Sequence, residues 1–327
     1  MNVTVIKPGL LSSLQDAGRA GHAALGVGRA GAMDQPAWQL ANALVGNTRG
    51  EATIECTLVG PSLRFEQAVV IALTGATITA RVGEHSVPMW TSCHLPAGSV
   101  LHLGGMASGC RSYLAVRGGF DVPALLGSRS SDLHARIGYA HGRPLRAGDE
   151  LPIGAAPAFP SALAGDDVRP LDWSLDPQPW FDFAQRPLAL LRGSHWSQLD
   201  AASQQLLFGG KFSLSKDSNR TASRLDGHTL QLRLPLELIS EAALPGTLQL
   251  PPSGQPIALL AEAPVTGGYP RIGQVAMVDL PRLAQRRPGD TVCFHETTLD
   301  EALTRLAAHR QRLARLLSTI AQRLEHT

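Results

Sequence analysis

The sequence predicts a mainly β protein with a few helices, built as two domains and a long C-terminal helix. Its 327 residues suffice for two domains of about 150 residues each. The 33 glycines and 23 prolines follow no Gly-x-y period, which is typical of a protein rich in strands and loops. Short β-rich runs recur about every 8 to 20 residues, a spacing that favours a barrel or sandwich over βαβ units.

The first domain, residues 1–154, contains six β-rich runs that predict short strands, each bounded by Gly, Pro or Ser. The runs are Val3–Ile6, Ala52–Thr57, Val69–Leu73, Thr77–Val82, Ser99–Leu103 and Ser112–Val116. One helix is predicted among them, because Asp34 can cap its N-terminus, Pro36 fits its first turn and Gly46 can end it. We therefore expect a β domain that carries one helix.

The middle of the chain predicts a domain boundary. Residues 155–180 are rich in Ala, Pro and Asp and have no periodicity, so we interpret them as a linker. In the second domain, residues 181–297, short strands are predicted around Leu188–Leu191, Thr229–Leu232, Ile257–Leu260 and Thr291–Phe294. A helix is predicted over about 198–208, and two glycines end it. Units of a turn followed by a strand resemble each other in the two halves. This similarity is explained equally well by two related barrels and by chance recurrence.

Residues 298–327 predict one long amphipathic helix. Thr298 and Glu301 have the spacing of a capping box, in which each side chain accepts a hydrogen bond from the other residue's backbone N–H. Apolar residues then recur at helical spacing from Leu299 to Leu324, with arginines beside them. Packing of this stripe along its own domain is the favoured interpretation, and a contact between subunits and a membrane surface are the alternatives.

Charge and hydropathy exclude several classes of protein. The 29 basic and 27 acidic residues leave a net charge of +2, which argues against binding nucleic acid or anionic membranes through bulk charge. No apolar run reaches the roughly 18 residues of a membrane helix, and the N-terminus shows no export signal. We therefore expect a cytoplasmic protein in which the four dispersed cysteines are small buried side chains.

Cofactor motifs are absent or incomplete. Gly26–Gly31 matches G-x-G-x-x-G, but no buried strand leads into it, so a dinucleotide site is disfavoured. The chain has no Walker-type phosphate loop and no lysine between methionines, which predicts that it carries no covalent biotin and builds no complete nucleotide site. The cysteines and histidines between residues 93 and 110 match no zinc spacing, so no metal site is predicted.

Four groups of glycine-rich loops contain an unusual density of polar residues. They are residues 15–19 with 31–34, 127–132 with 142–145, 217–220, and 266–270. Asp and Arg in such loops commonly hold turns together, and this structural interpretation stays open. The functional interpretation is a cleft for a carboxylate or carboxamide, because Arg offers a bidentate fork and paired glycines let backbone N–H groups approach an oxyanion.

Motifs in these loops continue along most of the chain, in order and at sensible spacing. They include Pro8–Leu10, Leu14–Arg19, Gly31–Asp34, Ala41–Asn47, Tyr113–Gly119, Leu126–Ser130, Asp217–Arg220, Pro251–Pro256 and Gly267–Pro270. Each motif alone is weak. Together, over about residues 3–295, they resemble the KipA/PxpC family, within the wider group of allophanate-hydrolase-subunit-2-like, biotin-dependent-carboxyltransferase-type proteins.

The resemblance implies two linked cyclophilin-like β-barrel domains. It also implies the PxpC-type subunit of an ATP-dependent 5-oxoprolinase, which opens 5-oxo-L-proline to L-glutamate together with a PxpA-like and a PxpB-like (KipI-type) subunit. Since the chain lacks a phosphate-binding loop, we expect the ATP site to be shared with these partners and the chain to be inactive alone. One alternative is a carboxyltransferase subunit that acts on a urea-like amide with a separate biotin carrier. Another is a non-catalytic KipA-like regulatory partner.

The candidate site residues follow from the loops and the resemblance. The predicted catalytic residues are Asp16, Asp34, Glu55 and Arg220, the carboxylates as acids, bases or orienting groups and the arginine as an anion-binding group. The predicted substrate-binding residues are Gln15, Arg19, Asn42, Asn219, Arg224, Thr266, Gly267, Gly268 and Tyr269. The alternative for Arg220 is a structural ion pair with Asp217 or Asp226.

The chain departs from the family pattern at two places in the second domain. Glu262–Val265 stands where the family has Asp-x-Gln-Thr, and Thr221–Ala222 stands where it has Met-Gly. Glu262 can supply the carboxylate, but Pro264 and Val265 bring neither the amide nor the hydroxyl. These departures predict either a substrate other than 5-oxoproline or a weakened site.

Overall fold

The computed structural model describes residues 2–47, 50–156, 165–178, 186–236 and 238–326, and the described chain is mainly β with four α-helices, as predicted. It forms two compact units. Unit 1 comprises Met1–Arg19, Ala30–Asp182 and Arg312–Thr327, and unit 2 comprises Ala20–Arg29 and Phe183–Gln311. The boundaries at residues 154, 180 and 297 stay predictions, and residues 157–164 and 179–180 of the predicted linker lie outside the described residues.

Unit 1 is built on a ten-stranded, nearly closed barrel sheet. Its strands are β1 (Asn2–Lys7), β2 (Leu11–Gln15), β3 (Thr53–Thr57), β4 (Ser62–Phe65), β5 (Val69–Val82), β6 (His85–Ser86), β7 (Ser92–Leu95), β8 (Val100–Val116), β9 (Glu150–Pro152) and β10 (Arg169–Pro170). The main path runs β10-β7-β5-β8-β4-β1-β9, β3 pairs with β8 and β2, and β6 pairs with β5. Alternate residues, such as Val3 and Val5 with their partners Phe65 and Leu63, form the core.

Two long strands of unit 1 replace four of the short strands predicted from the sequence. β5 and β8 have 14 and 17 residues and pair antiparallel along most of their length. Their register shifts next to Gly75, which has a φ of +86° and would place a Cβ 2.5 Å from the Arg111 carbonyl oxygen. Gly75 therefore marks a β-bulge inside one strand, although in the sequence it looks like the end of a strand.

The predicted helix of the first half is confirmed as α1 (Gln35–Leu44). The Asp34 carboxylate accepts a hydrogen bond from the Ala37 N–H at 3.1 Å, which caps the N-terminus as predicted.

Cys56 and Cys93 are buried in unit 1, and burial raises the pKa of each thiol to about 12. Both thiols are therefore protonated and unreactive at neutral pH.

Unit 2 contains an eight-stranded sheet and a separate two-stranded ribbon. The sheet strands are β11 (Leu188–Arg192), β12 (Phe212–Leu214), β13 (Ala222–Asp226), β15 (Thr247–Gln249), β16 (Ile257–Leu259), β18 (Arg271–Val275), β19 (Thr291–Val292) and β20 (Phe294–Glu296), and the ribbon pairs β14 (Glu241–Ala242) with β17 (Thr266–Gly267). The order is β19-β12-β13-β16-β15-β18-β11-β20, and the β11–β20 pair is parallel. The helices α2 (Ala201–Gly209) and α3 (Leu280–Ala284) complete the unit.

One predicted strand of unit 2 is wrong. Residues 229–232 form no strand, because Leu232 makes only an isolated bridge with Leu199. The predicted helix at 198–208 begins later, as α2, since Asp200 caps it by accepting a hydrogen bond from the Ser203 N–H at 2.7 Å. β15 and β18 were not predicted, because strands of three and five residues show too few positions for an alternating pattern.

The predicted C-terminal helix is confirmed as α4 (Leu299–Glu325). The Thr298 N–H donates to Glu301 Oε2 at 3.0 Å and the Glu301 N–H donates to Thr298 Oγ1 at 3.3 Å, so the capping box is formed. The apolar stripe has buried members, Leu313, Ile320 and Leu324, and exposed members, Leu299 and Leu303. Among the described residues, no helix has the length and apolarity needed to cross a membrane.

Candidate functional site

The Asp16 carboxylate lies at the centre of a buried polar cluster in unit 1. It accepts hydrogen bonds from Ser128 Oγ at 2.6 Å, Ser130 Oγ at 2.5 Å, the Arg129 N–H at 2.6 Å and the Gly18 N–H at 2.8 Å. Only 5% of Asp16 is exposed. These four donors connect the loop after β2 to residues 128–130 through one buried carboxylate.

Gln15 and Arg19 contact the same stretch of chain. Gln15 Nε2 donates to Ser13 Oγ at 2.9 Å and to the Ser131 carbonyl at 2.8 Å. The Arg19 guanidinium donates to the Ser130 carbonyl and is almost completely buried. Both side chains therefore join the loop after β2 to the segment that carries the Asp16 donors.

A second buried cluster in unit 1 links Glu55, Tyr113 and Asp34. Glu55 Oε2 accepts hydrogen bonds from Tyr113 Oη at 2.8 Å and from the Met33 N–H at 2.9 Å, and Tyr113 Oη accepts one from the Asp34 N–H at 2.8 Å. Burial raises the pKa of Tyr113 well above its usual value, and the charges of Glu55 and Asp34 add to this shift. The phenol is therefore a hydrogen donor to Glu55 throughout the physiological range. The Arg111 guanidinium lies 3.8 Å from the Glu55 carboxylate.

The structure brings most of the unit 1 candidates into this connected, buried network. The Ala32 N–H donates to the Asp16 carbonyl at 2.9 Å, directly before the Met33 N–H that reaches Glu55. Asn42 lies on α1 and donates to the carbonyls of Trp38 and Glu51. These contacts match the structural interpretation of the polar loops. The catalytic role of Asp16, Asp34 and Glu55 and the substrate-binding role of Gln15, Arg19 and Asn42 stay predictions.

In unit 2, Arg220 forms a buried ion pair with Glu262. Arg220 Nε lies 2.5 Å from Glu262 Oε1, and each side chain is only 2% exposed. The Glu262 N–H also donates to the Arg220 carbonyl at 3.0 Å. The buried partner of Arg220 is thus the carboxylate at the first position of the divergent stretch, whereas Asp217 and Asp226, the partners predicted for a structural pair, are both exposed.

Arg224 of unit 2 belongs to a row of side chains that crosses four strands. In the sheet register Arg224 of β13 pairs with Ile257 of β16, Ile257 pairs with Gln249 of β15, and Gln249 pairs with Arg271 of β18. Directly paired residues of antiparallel strands project from the same face of a sheet, and the register between β15 and β18 shifts between Leu248 and Gln249, so Arg271 faces Gln249 across an irregular pair. We call these four residues the cross-strand row. Arg224 is its exposed member.

The polar members in the middle of the row have unused hydrogen-bonding groups. Gln249 is 4% exposed, and its Nε2 has no hydrogen-bond partner in the described part of the chain. The same holds for Arg271 Nε, although the terminal nitrogens of Arg271 bind the Ala242 carbonyl and the Glu241 carboxylate of β14. Two buried donors thus point from adjacent strands without an acceptor, which is rare in folded proteins.

The β14–β17 ribbon approaches the row through the predicted Gly267. A Cβ at residue 267 would lie 2.6 Å from Gln249 Nε2, so any larger residue here would push the amide aside. Thr266, Gly268 and Tyr269 are exposed beside it. Gly267 therefore lies against Gln249, which is two strands from Arg224 in the cross-strand row.

Asn219 acts in a turn apart from this row. Its Oδ1 accepts hydrogen bonds from the Thr221 N–H at 2.8 Å and the Ala222 N–H at 3.2 Å, which closes the turn before β13.

Among the described residues no group of three or more His, Cys, Asp and Glu side chains could hold a metal ion.

Sequence reasoning missed Gln249 and Arg271. Neither belongs to a motif with a known spacing, and their proximity depends on the register of strands that are far apart in sequence. A glutamine between Leu248 and Leu250 was the available signal, because a long polar side chain in a buried strand needs an explanation.

Comparison with known proteins gives consistent matches over nearly the whole chain. Residues 25–296 match the carboxyltransferase domain, subdomain A and B. The chain is 39% identical to the 5-oxoprolinase subunit designated C in Escherichia coli, over 91% of its own length and 92% of that protein. It is 36% identical to the corresponding subunit of Haemophilus influenzae and 30% identical to urea amidolyase of Saccharomyces cerevisiae, of which it spans only 16%.

Solved structures show the same fold. The Kluyveromyces lactis urea amidolyase matches 98% of the chain with a TM-score of 0.85 and 26% identity, and the chain spans 20% of that protein. TTHA0988 matches 91% of the chain with a TM-score of 0.75 and 34% identity, and the chain spans 55% of it. The predicted resemblance and fold class are confirmed by these matches.

Proposed function

The chain belongs to the carboxyltransferase domain family, subdomain A and B, and from this premise we propose that it is the PxpC-type subunit of a 5-oxoprolinase. The observation that carries the proposal is the 39% identity to the E. coli subunit, which extends over 92% of that protein. The reaction proposed for the assembled enzyme is the opening of 5-oxo-L-proline to L-glutamate. PxpA-like and PxpB-like proteins are the proposed partners.

The substrate of this reaction has two polar groups that a binding site must recognise. One is a planar lactam, whose carbonyl oxygen gains negative charge when the ring opens, and the other is a carboxylate. Hydrogen-bond donors aimed at the carbonyl oxygen favour ring opening if they bind the developing charge more strongly than the ground state. The cross-strand row of unit 2 offers such donors and the exposed cation of Arg224.

The α-helices of the described residues offer little to the phosphates of ATP. The three longer helices each hold a carboxylate at the N-terminus, where a phosphate would bind: Asp34 at α1, Asp200 at α2 and Glu301 at α4. The sequence also lacks a phosphate-binding loop. We therefore assign the nucleotide to the partner subunits. In the complete enzyme ATP supplies the activation of the resonance-stabilised amide, and the part of this chain is to bind and orient the lactam.

Omission of this chain from a reconstituted enzyme tests the proposal. The mixture contains candidate PxpA-like and PxpB-like proteins, ATP, Mg²⁺ and 5-oxo-L-proline, and the product is L-glutamate. We expect glutamate only when this chain is added, and none from the chain alone. Full glutamate formation without it would contradict the proposal and would favour the regulatory alternative.

Transfer of a carboxyl group to a urea-like amide is the second candidate. It is supported by the 30% identity to the S. cerevisiae urea amidolyase and by the fold match to the K. lactis enzyme. This activity needs a biotinyl carrier from another chain, so avidin would inhibit it. Avidin would leave the 5-oxoprolinase reaction unchanged, and the same assay with and without avidin therefore separates the two functions.

A further inference from the structure

The amide of Gln249 is the least explained polar group of unit 2. It is buried, it lies in the middle of the cross-strand row, and its Nε2 has no hydrogen-bond partner in the described part of the chain. A leucine at this position would avoid the free-energy cost of an unsatisfied buried donor. An unsatisfied group of this kind indicates a ligand that supplies the missing acceptor.

The chemistry of a carboxamide defines the class of ligand. A primary carboxamide presents an N–H donor and a carbonyl acceptor side by side. A cyclic amide presents its carbonyl and its N–H on one edge in the complementary order, because the ring holds the amide in the cis form. The carboxamide and the cyclic amide can therefore form two parallel hydrogen bonds with each other. An amine lacks the acceptor and a carboxylate lacks the donor, so neither can form both bonds.

Two arginines of the row add hydrogen-bond donors near Gln249. Arg271 is one strand away, at about 5 Å, and its buried Nε has no acceptor among the described residues. Arg224 is two strands away, at about 10 Å, and its exposed side chain is long enough to reach a group beside Gln249. A ligand that bears a carboxylate next to its amide could bind Gln249 through the amide and Arg224 through the carboxylate.

The β14–β17 ribbon controls access to Gln249. Its backbone at Gly267 lies against the amide, and Arg271 holds the ribbon to the sheet through the Glu241 carboxylate and the Ala242 carbonyl. Ala243, directly after β14, packs in a buried cluster with Ala222 and Leu259 of the sheet. Because the ribbon covers the buried amide, binding of a ligand to Gln249 requires the ribbon to move.

We propose that the cross-strand row of unit 2 is a subsite for a cyclic amide that carries a carboxylate, with Gln249 binding the amide and Arg224 the carboxylate. This inference rests on the proposed function and names the residues that recognise its substrate. It also separates the two candidate reactions, since urea has no carboxylate for Arg224.

Calorimetric titration of the full chain with four small molecules tests the subsite. 5-Oxo-L-proline has both groups, 2-pyrrolidinone has only the lactam, L-proline has only the carboxylate, and urea is an acyclic amide. We expect the wild type to bind 5-oxo-L-proline most tightly. Gln249→Leu should weaken 5-oxo-L-proline and 2-pyrrolidinone about tenfold or more, as expected for two lost hydrogen bonds.

The second variant, Arg224→Met, should weaken 5-oxo-L-proline about tenfold and leave 2-pyrrolidinone within about twofold. Gln231→Leu and Lys211→Met, at two exposed residues outside the row, are matched controls, and neither should change any affinity. The melting temperature adds a readout that a structural role would move. Gln249→Leu removes an unsatisfied donor, so its melting temperature should equal or exceed that of the wild type.

The outcomes decide the inference separately from the proposed function. The subsite is contradicted if Gln249→Leu binds 5-oxo-L-proline like the wild type, if it melts several degrees lower, or if the wild type binds none of the molecules at about 10 mM. If the assembled enzyme makes no glutamate but lactam binding still depends on Gln249, the proposed function fails and the subsite stands. If glutamate forms equally well with Gln249→Leu, the subsite fails and the function stands.

Discussion

Replacement of Glu262 by leucine should strongly destabilise unit 2. The change keeps a similar volume but removes the carboxylate 2.5 Å from Arg220 Nε, and both side chains are only 2% exposed. Removal of one partner of a buried ion pair takes away the charge–charge attraction that offsets the cost of burying the other, and such a loss typically costs about 3–5 kcal/mol. Because about 1 kcal/mol corresponds to roughly 2–4 °C in a domain of this size, the melting temperature should fall by on the order of 10 °C.

Urea denaturation with circular dichroism measures this cost, with the m-value as a check that the unfolding transition is unchanged. Asp217→Asn and Asp226→Asn are the matched controls, since these exposed carboxylates were the alternative partners of Arg220. Each should alter the free energy of unfolding by less than about 0.5 kcal/mol.

The double variant Arg220→Met with Glu262→Leu completes the test. Replacing both charges by apolar groups of similar volume is often neutral, so the double variant should recover most of the stability lost in Glu262→Leu. Equal stability of Glu262→Leu and the wild type would refute the assignment of a tight buried pair. Failure of the double variant to recover, together with loss of activity in a stable Arg220→Lys protein, would favour the catalytic role predicted for Arg220.

Three further changes test other parts of the structure. Asp16→Ala should lower the free energy of unfolding by about 2–4 kcal/mol in urea denaturation, because backbone donors lose their buried acceptor; a loss below about 0.5 kcal/mol would contradict the network. The hydrogen bonds from Arg143 are the main cause that lowers the pKa of Asp149 below its usual value. The pair therefore stabilises the fold above about pH 4, and this stabilisation is lost as the pH falls through the pKa of Asp149 in the folded protein. The stability difference between wild type and Asp149→Asn should therefore shrink in acid, and a difference that grows would refute the pairing. Thr298→Ala should cost about 1 kcal/mol by removing the cap of α4, whereas Thr304→Ala, on the exposed side of the helix, should not.

Local chemistry made several elements predictable from the sequence. Asp34 caps α1 and the Thr298–Glu301 box opens α4 through bonds between residues three positions apart, so the signal and the contact lie in one stretch of chain. The long-range elements were less accessible. Gly75 looks like the end of a strand because its role as a bulge depends on β8, whose paired residues lie more than 30 positions away.

The candidate site follows the same division. Gly267 and Arg224 were predicted from loop composition and family resemblance, and the structure adds Gln249 and Arg271 through strand register. The carboxylates Asp16 and Glu55 show the limit of residue type as a signal. A buried acid in a glycine-rich loop has the same sequence pattern whether it holds turns together or moves protons, and only its contacts distinguish these tasks.

The product formed by the assembled enzyme tests the central assignment most directly. The complete mixture, with this chain, its partners and ATP, is offered 5-oxo-L-proline and urea together in the presence of avidin, and in a parallel mixture without it, and products are identified by mass spectrometry. We predict L-glutamate that depends on this chain and no carboxylated urea. Carboxylated urea that disappears on addition of avidin, with no glutamate under either condition, would contradict the assignment.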